Sequence, residues 1–183
     1  MRKTLALLPI IIGLLLPSIV MAAPGSTDRN TAKLLAATRK ATDKYHNVNV
    51  ALADGYVPMS PCEDGMGIHY VNLALASDMV VNELQPEILL YVPTDEGPKL
   101  IGVEYFMAAI GTDGAYVGPW WDMELPAGWV WIVPAPTLYG TSMDGPMAPH
   151  EEGVMPWHFD FHVYLWQANP NGIFEEWNPT VKC

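Results

Sequence analysis

The segment Trp157–Trp166 reads Trp-His-Phe-Asp-Phe-His-Val-Tyr-Leu-Trp. On a strand, successive side chains point to opposite faces. One face then carries Trp157, Phe159, Phe161, Val163 and Leu165, all of them core residues. The other carries His158, Asp160, His162, Tyr164 and Trp166, where a merely solvated face would carry Lys, Glu, Ser and Thr. Two imidazoles and a carboxylate are ligands for a divalent transition ion. His158 and His162, however, lie about 13 Å apart along an extended chain and cannot share one ion unless the strand bulges. Partners must therefore come from other segments.

Two candidates stand out. His69 lies in Gly65-Met66-Gly67-Ile68-His69-Tyr70-Val71-Asn72, a strand approached through glycines that permit close backbone contact. Glu104 lies mid-strand in Ile101-Gly102-Val103-Glu104-Tyr105-Phe106, with Leu100, Gly102 and Phe106 expected on its own face. A carboxylate among apolar neighbours is either buried with a partner or lines a cavity. Neutral imidazole and carboxylate suit Zn or Cu, and three protein ligands leave a coordination position for water or substrate. The site expected is thus His69, Glu104 and His162, with His158, Asp160, His150 and Tyr105 as supporting or alternative ligands. In an enzyme, the metal would polarise substrate or activate water, with Asp160 or Glu104 as base. The competing arrangement is a metal-free buried network in which an imidazole donates to Glu104.

Other constellations are less specific. Met143, Met147, His150, Glu151, Met155 and His158 combine thioether and imidazole, a set suited to Cu(I), but methionine is also an adaptable core filler. His46 falls on the polar flank of a helix. The seven tryptophans would suit a groove for a sugar or an apolar ligand if exposed, and otherwise belong to the core. Gly-x-Ser-x-Gly, a phosphate-cradling Gly-rich loop and His-Glu-x-x-His are all missing. The pattern does not decide whether the chain is an enzyme.

The elements that must position these residues read as follows. Leu34, Ala37, Ala41, Tyr45, Val48 and Leu52 recur at helical spacing, which predicts an amphipathic helix over Asn30–Ala53, stopped by Asp54-Gly55. Strands are predicted at Gly67–Leu73, Glu87–Val92, Lys99–Ala109, Trp129–Val133 and Trp157–Trp166. The turn Thr94-Asp95-Glu96-Gly97-Pro98 makes the second and third a hairpin. The Pro-, Gly- and Met-rich stretch Pro134–Pro156 reads as a long ordered loop. One helix followed by strands indicates an α+β domain, the N-terminal amphipathic helix packed on a mainly antiparallel, curved or half-barrel sheet.

The ends of the chain speak to compartment. Met1-Arg2-Lys3, an apolar run from Leu5 to Val20, and small residues near Ala22 predict a signal peptide over residues 1–22, with residues 23–29 a flexible lead-in to one domain over 30–183. Without the signal, the chain keeps seven Lys/Arg against 20 Asp/Glu, a net charge of −13. Such a surface repels nucleic acid and anionic membranes and attracts cations. Cys62 and Cys183, the two cysteines of the chain, are expected to pair in an oxidising compartment.

Several stretches together resemble an uncharacterised family of secreted bacterial proteins. They are Ala51–Pro58, Gly65–Asn72, Pro86–Tyr91, Gly102–Tyr105, His162–Trp166 and Asn169–Phe174, and the likeness covers most of residues 35–183. The resemblance implies an exported domain and says nothing of a reaction. The overall expectation is a periplasmic or secreted protein with a His/Glu-lined pocket for a divalent metal. The alternative is a non-catalytic binding or stress protein whose aromatic pocket holds an apolar ligand or a partner protein. The partners anticipated are a small molecule or metal ion, with a homo-oligomer left open, no nucleic acid, and no membrane span after signal cleavage.

Overall fold

The structure is a computed structural model and describes residues 29–111, 128, 130–131, 134–147 and 155–183. Residues 1–22, expected as a signal peptide, residues 23–28 of the expected lead-in 23–29, and Trp120, Trp121, Trp129, His150 and Glu151 lie outside the described residues, while Arg29 already opens a helix. Among the described residues no helix is long and apolar enough to cross a membrane.

The chain folds as an α+β domain. Helix α1 (Arg29–Thr42) leads through a 3₁₀ turn (Asp43–His46) into α2 (Val48–Ala53). A single helix to Ala53 was expected. The break comes at Asn47, which is extended and whose side chain accepts from the Asn49 amide to cap α2. Gly55 follows with φ of 95°, the anticipated stop. The buried side of α1 also differs from the apolar stripe. Thr31, Thr38 and Thr42 are buried with Leu34 and Leu35 beside them, whereas Ala37 is exposed. The threonine hydroxyls account for this. Thr31 Oγ1 donates to Tyr139 O at 2.9 Å, Thr38 Oγ1 lies 2.7 Å from the Tyr139 hydroxyl, and Thr42 Oγ1 donates to Thr38 O. Their methyl groups remain free to pack.

The main sheet has six strands: β1 (Tyr56–Pro58), β2 (Ile68–Asn72), β3 (Ile88–Val92), β4 (Lys99–Ala108), β9 (Asp144–Met147) and β10 (His158–Val163). Their order is β1-β2-β3-β4-β10-β9, the pairings are antiparallel, and the sheet is open. A helix, α3 (Leu73–Ala76), follows β2. Strands β5 (Ile110–Gly111) with β6 (Val130–Trp131), and β7 (Thr137–Leu138) with β8 (Thr141–Ser142), form two small ribbons. The stretch Pro134–Pro156 is therefore not all loop: β7, β8 and edge strand β9 lie in it. The β3–β4 hairpin is closed at Thr94–Gly97 as anticipated, with backbone hydrogen bonds in both directions.

The sheet is buried on both faces. On the helix side, Leu89, Tyr91, Leu100, Val103, Tyr105, Phe159, Phe161 and Val163 pack with Tyr45, Tyr56 and Tyr139. The opposite face holds Ile88, Leu90, Val92, Ile101, Phe106 and Tyr164, with Met155 and Val181 over them. Leu100 was expected beside Glu104 but joins the helix-side core. The register shows why: Leu90 pairs with Gly102 while Tyr91 pairs with Leu100, so Ile101 is an extra residue that flips everything before it.

Cys62 and Cys183 form a disulfide with Cα atoms 5.8 Å apart, linking positions 121 residues apart. An intrachain disulfide fits an oxidising compartment. Constraining so long a loop lowers the entropy of the unfolded chain, worth about 4–5 kcal/mol in the loop-entropy model. Around it, Gly65 N donates to Val181 O and Asn178 N to Gly65 O, so the loop before β2 and the C-terminal segment are laced together.

Candidate metal centre

Strands β2, β4 and β10 each present one side chain to the same point on the face opposite the helix. Register places Glu104 of β4 directly across from His162 of β10. His69 of β2 pairs with Leu90, which pairs with Gly102, so it stands diagonally from Glu104. Gly102, the β4 residue in line with His69 and Leu90, carries no side chain. A Cβ there would also lie 2.7 Å from Val163 O, so only glycine lets β10 approach this closely. Gly67 sets the start of β2. Its φ is +95°, and a Cβ on it would lie 2.5 Å from Tyr91 O. The glycines before His69 thus work as anticipated.

The three side chains are almost wholly enclosed: His69 is 6 %, Glu104 1 % and His162 3 % exposed. Glu104 Oε2 lies 3.1 Å from His69 Nε2 and 3.4 Å from His162 Nε2. The set offers one ligand atom per residue, all within 4.8 Å of one another. For a tetrahedral zinc site with bonds near 2.0–2.1 Å, ligand atoms are separated by about 3.3 Å. The donor set and its spacing fit such an ion.

The competing hydrogen-bonded network fits less well. Among the described residues, neither Glu104 Oε2 nor His162 Nε2 meets hydrogen-bond geometry with a partner, although His69 Nε2 lies within reach of Glu104 Oε2 and helps to hold it ionised. Buried polar atoms rarely lack one, and each such lapse costs roughly 1–3 kcal/mol. Ser60 explains the geometry at His69. Its Oγ donates to Pro61 O, accepts from the His69 amide at 3.0 Å, and lies 2.9 Å from His69 Nδ1. Ser60 Oγ thus fixes the ring from its Nδ1 side and leaves Nε2 against the Glu104 carboxylate. Two imidazoles and a carboxylate then converge on one point, the donor set of a divalent ion.

Burial and the mutual attraction of carboxylate and imidazole act against each other here. Burial raises the Glu104 carboxyl, but the imidazoles of His162 and His69 outweigh it and hold the group at about 2. Burial lowers His162, which favours neutral imidazole. Asp160 is the opposite case: burial, with Glu104, Glu176 and Asp144 adding negative potential, pushes it up to about 9.

The centre opens on a cavity of about 310 Å³, lined by these three residues with Glu63, Met66, Met147, Asp160, Glu176 and Trp177. Among the described residues, Asp160 alone of the supporting set anticipated lines it. His158 is stacked on Phe106 and its Nδ1 donates to Pro156 O at 2.6 Å, so it is committed to the fold, with Nε2 3.9 Å from Asp160. Tyr105 faces the helix side, where its hydroxyl meets Glu83 O and Tyr139, because alternation turns it away from Glu104. His46 is exposed, near Asp43 and edge-on to Trp166.

Of the described members of the methionine-rich set, Met143 and Met155 belong to different cores. Ser60, Glu63, Glu176 and Trp177 were not anticipated. They come from loops that no periodicity marks, although the glycines near Glu63 signalled tight packing there. Compared with protein-family models, with curated proteins and with solved structures, the chain matches none.

Proposed function

We propose that this is an exported protein that binds one divalent transition metal ion through His69, Glu104 and His162 and presents it to a small molecule in the adjoining cavity. The observation that carries this reading is the convergence of His162 Nε2 and Glu104 Oε2, buried and without hydrogen-bond partners, at the spacing of a tetrahedral ligand set. Two imidazoles and a carboxylate place zinc first. Such an ion would supply Lewis acidity. The chain's part is to hold the ligands ready, exclude bulk water and position the small molecule.

Export is supported by the basic-then-apolar start of the chain and by the Cys62–Cys183 bond. The charged lining of the cavity favours this reading over an apolar-ligand pocket. A second metal, copper, is favoured by one observation: the thioethers of Met66 and Met147 line the same cavity. The test is metal analysis of purified protein after equilibration with zinc or copper. One ion per chain is expected, lost in His69→Ala and His162→Ala. Metal-free protein whose melting ignores both added ion and chelator would overturn the proposal.

A further inference from the structure

We infer that the cavity in front of His69, Glu104 and His162 selects a positively charged small molecule and rejects anions. The inference rests on the metal-binding reading and names the class of ligand that would share the site. Two independent observations carry it. The first is the deep end of the cavity, where Glu104 Oε2 and His162 Nε2 are buried without hydrogen-bond partners and face the cavity they line. The second is the outer wall. Among the described residues, none of the nine that line it is Lys or Arg, while Glu63 and Glu176 add carboxylates and Trp177 an indole.

The charge count follows directly. A divalent ion on two neutral imidazoles and one carboxylate leaves a local charge of +1, which alone would draw anions. The outer carboxylates reverse that preference for any group standing beyond the ion. A ligand with a neutral donor at one end and an ammonium at the other would satisfy both ends, and the face of an indole attracts ammonium. The wall is also held in place. Tyr164 Oη lies 2.8 Å from both Gly65 O and Glu176 O, bridging the two segments that carry Glu63, Glu176 and Trp177.

The experiment uses the full-length mature protein loaded with Co²⁺, whose visible spectrum reports a new ligand. Three pyridines of one shape serve as probes: 4-(aminomethyl)pyridine, 4-methylpyridine and pyridine-4-carboxylate. Each ligates through the same ring nitrogen, and only the charge at the far end differs. The cation is expected to bind about tenfold more tightly than the neutral probe and about a hundredfold more tightly than the anion at low salt. In Glu63→Gln/Glu176→Gln, compared at equal cobalt content, the cation-to-anion ratio is expected to fall below about tenfold. Equal or tighter binding of the anion would overturn the inference, as would an unchanged ratio in the double variant. Failure to take up cobalt would instead overturn the metal-binding reading.

Discussion

The two faces of the sheet bury polar groups in opposite ways. On the helix side the hydroxyls of Tyr56, Tyr91, Tyr105 and Tyr139 each end on a partner. Tyr56 Oη donates to Pro86 O, Tyr91 Oη to Tyr45 O and Tyr105 Oη to Glu83 O, each at 2.7 Å, and Tyr105, Tyr139 and Thr38 form a continuous chain. On the other face, Glu104 and His162 direct buried atoms at each other without a hydrogen bond between them. Both faces are built by the same strands, and often by adjacent residues such as Glu104 and Tyr105. The difference separates polar groups that complete a fold from polar groups held ready for a ligand. Fold-completing groups are satisfied within the chain, whereas ligand-holding groups carry a cost until something binds.

That contrast can be broken most severely at the ligands. His69→Ala, His162→Ala and Glu104→Gln should each weaken zinc by more than the roughly 10–100-fold typical of losing an outer partner, as read by competition with a chelating dye. Glu104→Gln should also melt higher than the metal-free parent, since an amide can donate to the His162 Nε2 that the carboxylate leaves without a hydrogen bond. A variant that lost both zinc and stability would place Glu104 with the fold-completing groups.

Glu87 gives the next largest effect. It is buried beside β4, accepts from the Phe106 amide through Oε2, and has an Oε1 without a partner. Burial pushes its carboxyl up from an ordinary 4.5 to about 8. Between those values the folded protein keeps a proton that the unfolded chain has released. Its contribution is therefore present below about 4.5 and lost as pH rises through 8. Denaturant titrations of metal-free protein should show stability falling by on the order of a few kcal/mol across that window, and Glu87→Gln should flatten the slope.

Smaller effects sharpen the comparison. Ser60→Ala releases the Nδ1 end of His69 and should weaken zinc about tenfold with little change in melting. Tyr105→Phe, on the fold-completing side, should cost about 1 kcal/mol in denaturant and leave zinc affinity unchanged. If the two outcomes were exchanged, the division between the faces would fail.

How much of this was readable beforehand follows from the same physics. His69, Glu104 and His162 stood out because each interrupts an apolar strand face, and a two-residue period is fixed by backbone geometry. The hairpin was legible from its local turn residues, and the disulfide from two cysteines in a chain expected to meet an oxidising compartment. The position of Leu100 was not, because the extra residue at Ile101 is a consequence of pairing with β3. The buried side of α1 was misread because threonine looks polar in sequence, yet hides its hydroxyl against helix carbonyls and Tyr139. The cavity wall was missed because Glu63, Glu176 and Trp177 reach it from segments without regular structure.

That wall has a kinetic consequence. Residues 164–183, which close over the ligand face, contain neither helix nor strand and are tied down by side chains: Tyr164 to Gly65 and Glu176, Asn169 to Glu175 and Trp177, and Asn178 to Gln167. Segments of this kind open more readily than the sheet beneath them. The Cys62–Cys183 crosslink anchors the far end of this segment to the loop that carries Glu63. It permits a brief swing but forbids peeling away. How fast an ion escapes would then be set by the hinge freedom of a tethered strap, separately from how tightly the three strand residues grip it.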